Sequence, residues 1–117
     1  MPGVYFRPTY FQPTFHKHVG QLCGGLQLHV LDRNQFQPVI TATAILREIY
    51  QLYQDQFTWK QPPYEYIEDK LPIDVIFGTD KVRKQIESGA TLDEIKNSWQ
   101  QPVDDFIRAR EKYLIYK

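Results

Sequence analysis

All three histidines and the single cysteine of this 117-residue chain fall in one short segment, at His16, His18, Cys23 and His29. Imidazole and thiolate groups are the usual ligands of zinc, so the cluster is a candidate metal site. Its spacing does not follow the regular ligand pairs that zinc-binding modules use. We therefore interpret the histidines as polar loop residues and the cysteine as a small buried side chain, and we predict no metal and no cofactor.

Glycines follow Lys17 closely, at Gly20, Gly24 and Gly25, as they do in some phosphate-binding loops. In those loops the lysine comes after the glycines and a long helix begins at once, and neither condition is met in this segment. We expect these glycines instead to allow a close approach of the backbone to another backbone segment or to a ligand.

Two polar residues, Gln27 and His29, share one face of a predicted strand, and Thr14 and Lys17 precede them in a predicted loop. Together such amide, imidazole, hydroxyl and ammonium groups can hydrogen-bond a sugar or a carboxylate. The alternative is an ordinary solvated face of a sheet, which is the simpler interpretation from the residues alone.

A group of carboxylates lies beside two tyrosines, with Glu65, Glu68 and Asp69 next to Tyr64 and Tyr66. Paired carboxylates and aromatic rings suggest glycoside chemistry, in which acids transfer protons and rings stack on sugars. Neighbours in sequence rarely supply both catalytic carboxylates, because the fold sets the separation that the reaction needs. We interpret Glu68 as part of a solvated acidic turn, and the roles of Tyr64 and Glu65 stay open.

The elements that position these groups begin with two strands. Residues 4–15 are rich in β-forming residues but contain two prolines, which predicts an edge strand followed by a loop. Leu26, Leu28 and Val30 then recur with the period of a strand, and we expect these three side chains to face the core.

The residues after the two strands carry sequence patterns typical of helices. Pro38 suits the first position of a predicted helix over residues 38–53. The apolar positions of that helix are Val39, Ala42, Leu46, Ile49 and Tyr53. Two short helices are predicted over residues 72–77 and 80–88, each followed by a glycine. Residues 57–59 and 113–116 are predicted to form short strands.

A last helix is predicted to begin at the capping box formed by Thr91 and Glu94, and Pro102 is expected to kink or split it. Its predicted buried stripe comprises Leu92, Ile95, Trp99, Val103, Phe106 and Ile107. The elements together predict a single α+β domain, in which a small mixed or antiparallel sheet packs against several helices.

Composition narrows the classes of function. Fourteen basic and fourteen acidic residues give a net charge of zero, which argues against a nucleic-acid binder. One cysteine excludes an internal disulfide, and no apolar run is long enough to span a membrane. The first residues lack the features of a signal peptide, so we expect either a cytoplasmic chain or a piece of a larger protein.

Several stretches carry a family resemblance. The longest reads Arg7-Pro8-x-Tyr10-Phe11-x-Pro13-Thr14-Phe15-x-Lys17-x-x-Gly20-x-x-Cys23-x-Gly25. Further matching stretches are residues 27–33, 62–66, 71–74, 78–80, 86–89, 98–99 and 113–116, with Ile95. In these stretches the chain resembles the C-terminal domain of the exo-β-N-acetylmuramidase (NamZ-type) family.

The resemblance implies a longer parent protein that releases N-acetylmuramic acid from the non-reducing end of peptidoglycan fragments. A Rossmann-like catalytic domain would precede Val4, and residues 1–117 would form the C-terminal domain, which is inactive alone. Met1 would then not be the natural start, and the parent would be exported or periplasmic.

The resemblance also changes the interpretation of the polar residues. It implies that a substrate cleft is lined by Thr14, Lys17, Gln27, His29 and Tyr64, with no catalytic residue in this chain. Lys17 would pair with the lactyl carboxylate of muramic acid. The implied partners are the N-terminal catalytic domain and a peptidoglycan-derived sugar, with no nucleic acid. The alternative is a free-standing carbohydrate-binding or protein-interaction module.

Overall fold

The computed structural model describes residues 1–116 and has a two-stranded sheet followed by helices. The strands are β1 (Val4–Phe11) and β2 (Cys23–Val30). The α-helices are α1 (Pro38–Leu52), α2 (Pro72–Phe77), α3 (Lys81–Glu87) and α4 (Leu92–Arg110), and a 3₁₀ helix follows at Glu111–Tyr113. The α+β class predicted from the sequence is confirmed. None of the helices within residues 1–116 is long and apolar enough to cross a membrane.

The chain divides into two compact units, and the boundary falls after Thr41, inside α1. The first unit contains the two strands and the first turn of α1. The second unit contains the rest of α1 and the other helices.

The two strands pair antiparallel, with Val4 opposite Val30 at one end and Phe11 opposite Cys23 at the other. Residues that lie directly opposite each other share a face of the sheet, so this register assigns every side chain to one of two faces. We call one the apolar face, and its members are Val4, Phe6, Pro8, Tyr10, Gly24, Leu26, Leu28 and Val30. We call the other the mixed face, and its members are Tyr5, Arg7, Thr9, Phe11, Cys23, Gly25, Gln27 and His29.

The prediction that Leu26, Leu28 and Val30 face the core is wrong, because their exposed fractions are 58%, 41% and 47%. The three residues do share one face, as the period of two requires. The first unit has only the first turn of α1 beside its strands, however, and therefore no second layer to bury that face. Pro8 lies inside β1 because both strands of a two-stranded sheet are edge strands, which tolerate proline.

The core of the second unit is built around Val82 and Ile86 of α3 and Ile95 of α4. The residues packed against these three are Leu46, Tyr50, Trp59, Phe77, Ala90 and Trp99. The spacing of four between Val82 and Ile86 places both on one face of α3. Residues 57–59 form no strand, and the ring of Trp59 instead packs against this core.

The prediction of a buried apolar face on α1 is wrong for four of its five positions, which are exposed. Leu46 packs against the core, but Val39, Ile49 and Tyr53 are 58%, 40% and 55% exposed. The covered side of α1 in the second unit instead includes Arg47, whose Nε donates a hydrogen bond to the carbonyl of Ala90 at 2.7 Å.

The last helix also departs from the prediction. Helix α4 continues through Pro102 without being split, and the predicted stripe is buried only in its first half. Ile95 and Trp99 belong to the core, whereas Val103, Phe106 and Ile107 are 42%, 64% and 41% exposed. The predicted strand over residues 113–116 is not formed.

Candidate functional site

The cross-strand register brings a basic side chain to the predicted polar patch. Arg7 of β1 lies opposite Gln27, and Tyr5 lies opposite His29, so all four share the mixed face. The rings of Tyr5 and His29 have centroids 6.5 Å apart and planes inclined by 46°. Sequence spacing could not identify Arg7 as part of this group, because the pairing of two distant segments creates it. A guanidinium, an amide and two rings on one face can contact a sugar or a carboxylate.

Gln27 and His29 differ in how accessible they are. Gln27 is exposed, whereas His29 is half-buried. The Nε2 atom of His29 is enclosed and has no hydrogen-bond partner among residues 1–116. Buried polar atoms are usually paired, so this enclosed ring nitrogen of the mixed face is an exception.

The aromatic ring of Phe11 packs over Gly25 on the mixed face. A β-carbon placed on Gly25 would lie 2.9 Å from Cε1 of Phe11, so the ring lies directly over the glycine. A close approach to the backbone was expected at these glycines, and at Gly25 the group that approaches is an aromatic ring. It puts the ring of Phe11 on the same face as Gln27.

The loop between the strands holds Thr14 and Lys17, and both are exposed. The loop is closed by a hydrogen bond from the amide of Gly20 to the carbonyl of Pro13, at 2.9 Å. Strand β2 begins at Cys23, after this loop. His29 lies six residues further on, about 20 Å along the extended strand. The strand therefore brings Gln27 and His29 together but separates His29 from the start of the loop.

The histidines and the cysteine are spread over strand β2 and the loop that precedes it. Among residues 1–116, no three histidine, cysteine, aspartate or glutamate side chains are grouped as a metal site would require. His16 and His18 both have a positive φ, of 62° and 57°. The Sγ atom of the half-buried Cys23 donates to the carbonyl of Gln21 at 3.6 Å.

The fifth predicted cleft residue, Tyr64, belongs to the second unit. It opens a tight turn in which Tyr64 and Ile67 exchange backbone hydrogen bonds of 3.0 and 2.9 Å. The central residues Glu65 and Tyr66 have φ values of 48° and 66°, a combination typical of a type I′ turn. Tyr66 is fully exposed at the tip, and Nζ of Lys60 lies 5.6 Å from the centre of the Tyr64 ring.

Several carboxylates of the second unit are engaged in structure. Asp74 is held by Arg83, and Glu87 accepts hydrogen bonds from both Arg83 and the indole of Trp59. A hydrogen bond from Lys84 lowers the pKa of Asp80. Hydrogen bonds from Thr91 lower the pKa of Glu94. A general acid needs a raised pKa, so the shifts at Asp80 and Glu94 have the opposite direction.

Comparison with known proteins identifies the family. A family model described as "Exo-beta-N-acetylmuramidase NamZ, C-terminal" matches residues 1–116. The Peptidoglycan beta-N-acetylmuramidase NamZ of Bacillus subtilis (strain 168) is 38% identical over 116 residues, which cover 99% of this chain and 26% of that protein. The chain thus spans about a quarter of the length of this curated relative.

A solved structure shares the fold. The crystal structure of a DUF1343 family protein from Bacteroides fragilis NCTC 9343 superposes with a TM-score of 0.76. It is 24% identical in sequence, and the match covers all of this chain and 30% of that one. The family model, which spans residues 1–116, establishes that this chain belongs to the family of NamZ exo-β-N-acetylmuramidase C-terminal domains.

Proposed function

We propose that this chain is the C-terminal domain of a peptidoglycan exo-β-N-acetylmuramidase and completes the substrate cleft of that enzyme. The observation that carries the proposal is the 38% identity to the Bacillus subtilis enzyme along almost the whole chain. Since the chain spans 26% of that protein, most of the enzyme lies outside the matched part. In this proposal that remainder includes a Rossmann-like catalytic domain.

Three carboxylates of the second unit are engaged in structural contacts. Glycoside hydrolysis uses a carboxylic acid of raised pKa together with a second carboxylate across the glycosidic bond. The pKa values of Asp80 and Glu94 are lowered, and Asp74 is neutralised by Arg83. These three acids therefore stabilise helices instead of transferring protons.

The contribution to the cleft rests on the mixed face and the adjoining loop. Gln27 and Arg7 offer an amide and a guanidinium next to the Tyr5 and His29 rings. N-acetylmuramic acid carries a lactyl carboxylate, which a basic side chain would bind by a charge-assisted hydrogen bond. Lys17 is the predicted partner of that carboxylate, and Arg7 is a second candidate that the register adds. Thr14 completes the proposed lining in the first unit, and Tyr64, in the second unit, stays a separate prediction.

The test uses the full-length enzyme and a chromogenic muramic-acid glycoside. The variant Lys17→Met should raise KM about tenfold, because a hydrogen bond to a charged group contributes roughly 1.5 kcal/mol. The matched control is Lys70→Met, which removes an exposed lysine from the second unit. Arg7→Met, assayed in parallel, identifies which cation binds the carboxylate.

Two outcomes would contradict the proposal. An unchanged KM and kcat in both Lys17→Met and Arg7→Met would remove the proposed carboxylate contact. Release of muramic acid by residues 1–117 alone would show that this domain is itself catalytic.

A further inference from the structure

The two faces of the β1–β2 ribbon have opposite chemical character. Every residue of the apolar face is apolar apart from the hydroxyl of Tyr10, and none is charged. The mixed face carries Arg7, Thr9, Gln27 and His29. An antiparallel sheet normally buries its apolar face and exposes its polar one.

Most of the apolar face is nevertheless exposed to solvent. The exposed fraction is 78% for Tyr10, 58% for Leu26, 41% for Leu28 and 47% for Val30. Contacts between protein surfaces are commonly made through contiguous exposed apolar residues such as these. Isolated exposed apolar residues are normal, but six of the eight positions of this face are exposed side by side on two paired strands, and only Val4 and Phe6 are half-buried.

We propose that part of the N-terminal region of the longer enzyme packs on the apolar face, so that the mixed face on the other side of the two strands stays open toward the substrate cleft. The inference rests on the part of the proposed function that gives this domain such a region. The absence of charge on the face calls for an apolar surface on the partner, because a polar one would lose its hydrogen bonds to water without replacement.

The position of the ribbon supports this partner. The chain matches the C-terminal part of the Bacillus subtilis enzyme, so the remainder of that protein precedes β1. The preceding chain reaches the ribbon at the end where Val4 pairs with Val30, both of which belong to the apolar face. A covalent connection at this point gives the N-terminal region a high effective concentration at the face.

The size of the face also favours a tethered partner over a free one. Two paired strands of eight residues cover roughly 26 Å by 10 Å, about 260 Å². A stable interface between separate proteins needs about 800 Å² from each partner. The apolar face is therefore too small to hold a second free copy of the chain by itself, but it is sufficient as part of a contact within one polypeptide.

Thiol labelling tests the proposal face by face. The variant Leu28→Cys places a thiol on the apolar face, and Tyr5→Cys places one on the mixed face of the same ribbon. Tyr5 is the matched control because it is 54% exposed, close to the 41% of Leu28. Each variant is prepared in residues 1–117 and in the full-length enzyme, and mass spectrometry quantifies maleimide on the introduced cysteine.

We expect the thiol at position 28 to react at least tenfold more slowly in the full-length enzyme than in residues 1–117. The thiol at position 5 should react within about twofold of the same rate in both. Hydrogen exchange of unmodified full-length enzyme provides a second measurement, in which protection of the β1 and β2 amides should exceed that in residues 1–117.

Three results would overturn the proposal. Equal labelling rates at position 28 in both proteins would mean that the N-terminal region does not cover the apolar face. Equal protection of positions 5 and 28 in the full-length enzyme would mean that the N-terminal region covers both faces alike. Slow labelling at position 28 in residues 1–117 would assign the face to a second copy if it depends on concentration, and to this chain's own helices if it does not. Neither readout uses hydrolysis, so an inactive enzyme with a protected position 28 would refute the proposed function and leave this inference standing.

Discussion

Arg83 binds both carboxylate oxygens of Asp74 through two of its nitrogens. Its Nε donates to Oδ1 at 2.8 Å, and its Nη2 donates to Oδ2 at 3.0 Å. The side chains are 16% and 12% exposed, so the pair is largely shielded from water. The hydrogen bonds that Arg83 donates to the Asp74 carboxylate raise the pKa of Arg83 further above its usual range. Since Asp74 lies in α2 and Arg83 in α3, this pair ties the two short helices together across the Gly78 turn.

Replacing Arg83 by methionine should lower the free energy of unfolding by about 3 kcal/mol, because Asp74 is then left shielded and unpaired. Arg83→Lys should recover only part of this loss, since an ammonium cannot bind both oxygens in the same way. The exposed pair of Lys84 and Asp80 supplies the control, and Lys84→Met should cost much less than Arg83→Met because water screens that pair. Urea denaturation measures all three variants, and equal losses for Arg83→Met and Lys84→Met would contradict the prediction.

The capping box at the start of α4 should make stability depend on pH. The amide and the hydroxyl of Thr91 both donate to the Glu94 carboxylate at 2.7 Å, and these hydrogen bonds lower its pKa from the ordinary 4.5. A lowered pKa in the folded state means that the stabilisation is complete above pH 4.5 and is lost as the pH falls through the lowered value.

The variant Glu94→Gln should therefore unfold at a lower temperature than the parent chain at pH 7, and the difference should shrink below pH 4.5. Thr91→Ala should cost about 1 kcal/mol at pH 7, the usual effect of losing an N-terminal cap. Thermal denaturation followed by circular dichroism at pH 7 and pH 3 gives both comparisons. A gap between parent and Glu94→Gln that is the same at the two pH values would refute the role of the charge.

Local signals predicted where elements begin and end. The capping box at Thr91 and Glu94 starts α4, and Pro38 starts α1. Gly78 ends α2 with a φ of 70°. Each of these depends on residues within one turn of the chain, so the sequence contains the whole cause.

The faces of the elements could not be predicted in the same way. The alternation of Leu26, Leu28 and Val30 correctly placed these residues on one side of β2, but burial of that side requires another layer. Similarly, the predicted stripe of α4 is exposed from Val103 onward, because the small core around Ile86 does not extend that far along the helix. The position of Arg7 opposite Gln27 depends on the register of two strands, which neither strand encodes alone.

The turn at Glu65 and Tyr66 stores strain that a substitution can release. Both residues have a positive φ, of 48° and 66°, which favours Asn and Gly at these positions of a type I′ turn. The double variant Glu65→Asn/Tyr66→Gly should raise the free energy of unfolding by about 1–2 kcal/mol. Tyr66→Ala is the control, because it removes a ring that is fully exposed but keeps the β-carbon that causes the strain. A gain in urea resistance with Tyr66→Ala as large as that of the double variant would contradict this explanation.

Two glycines with the same backbone conformation should differ strongly in their tolerance of alanine. Gly3 and Gly20 have φ values of 69° and 74°, so alanine is strained at both, at a cost of about 1–2 kcal/mol. A β-carbon on Gly20 meets nothing within 4 Å, whereas one on Gly3 would lie 2.6 Å from the carbonyl oxygen of Asp32 and 2.6 Å from the amide nitrogen of Phe36.

These neighbours of Gly3 belong to the backbone and cannot rotate away. Gly3 also accepts a hydrogen bond from the amide of Leu31 at 2.9 Å, which a local shift would weaken. We therefore expect Gly3→Ala to lower the free energy of unfolding by about 1–3 kcal/mol more than Gly20→Ala does, which is the usual penalty of overpacking. Urea denaturation of the two variants measures the difference directly. Equal destabilisation would mean that the segment around Asp32 moves to accept the methyl group, and that the close approach at Gly3 does not fix the end of the ribbon.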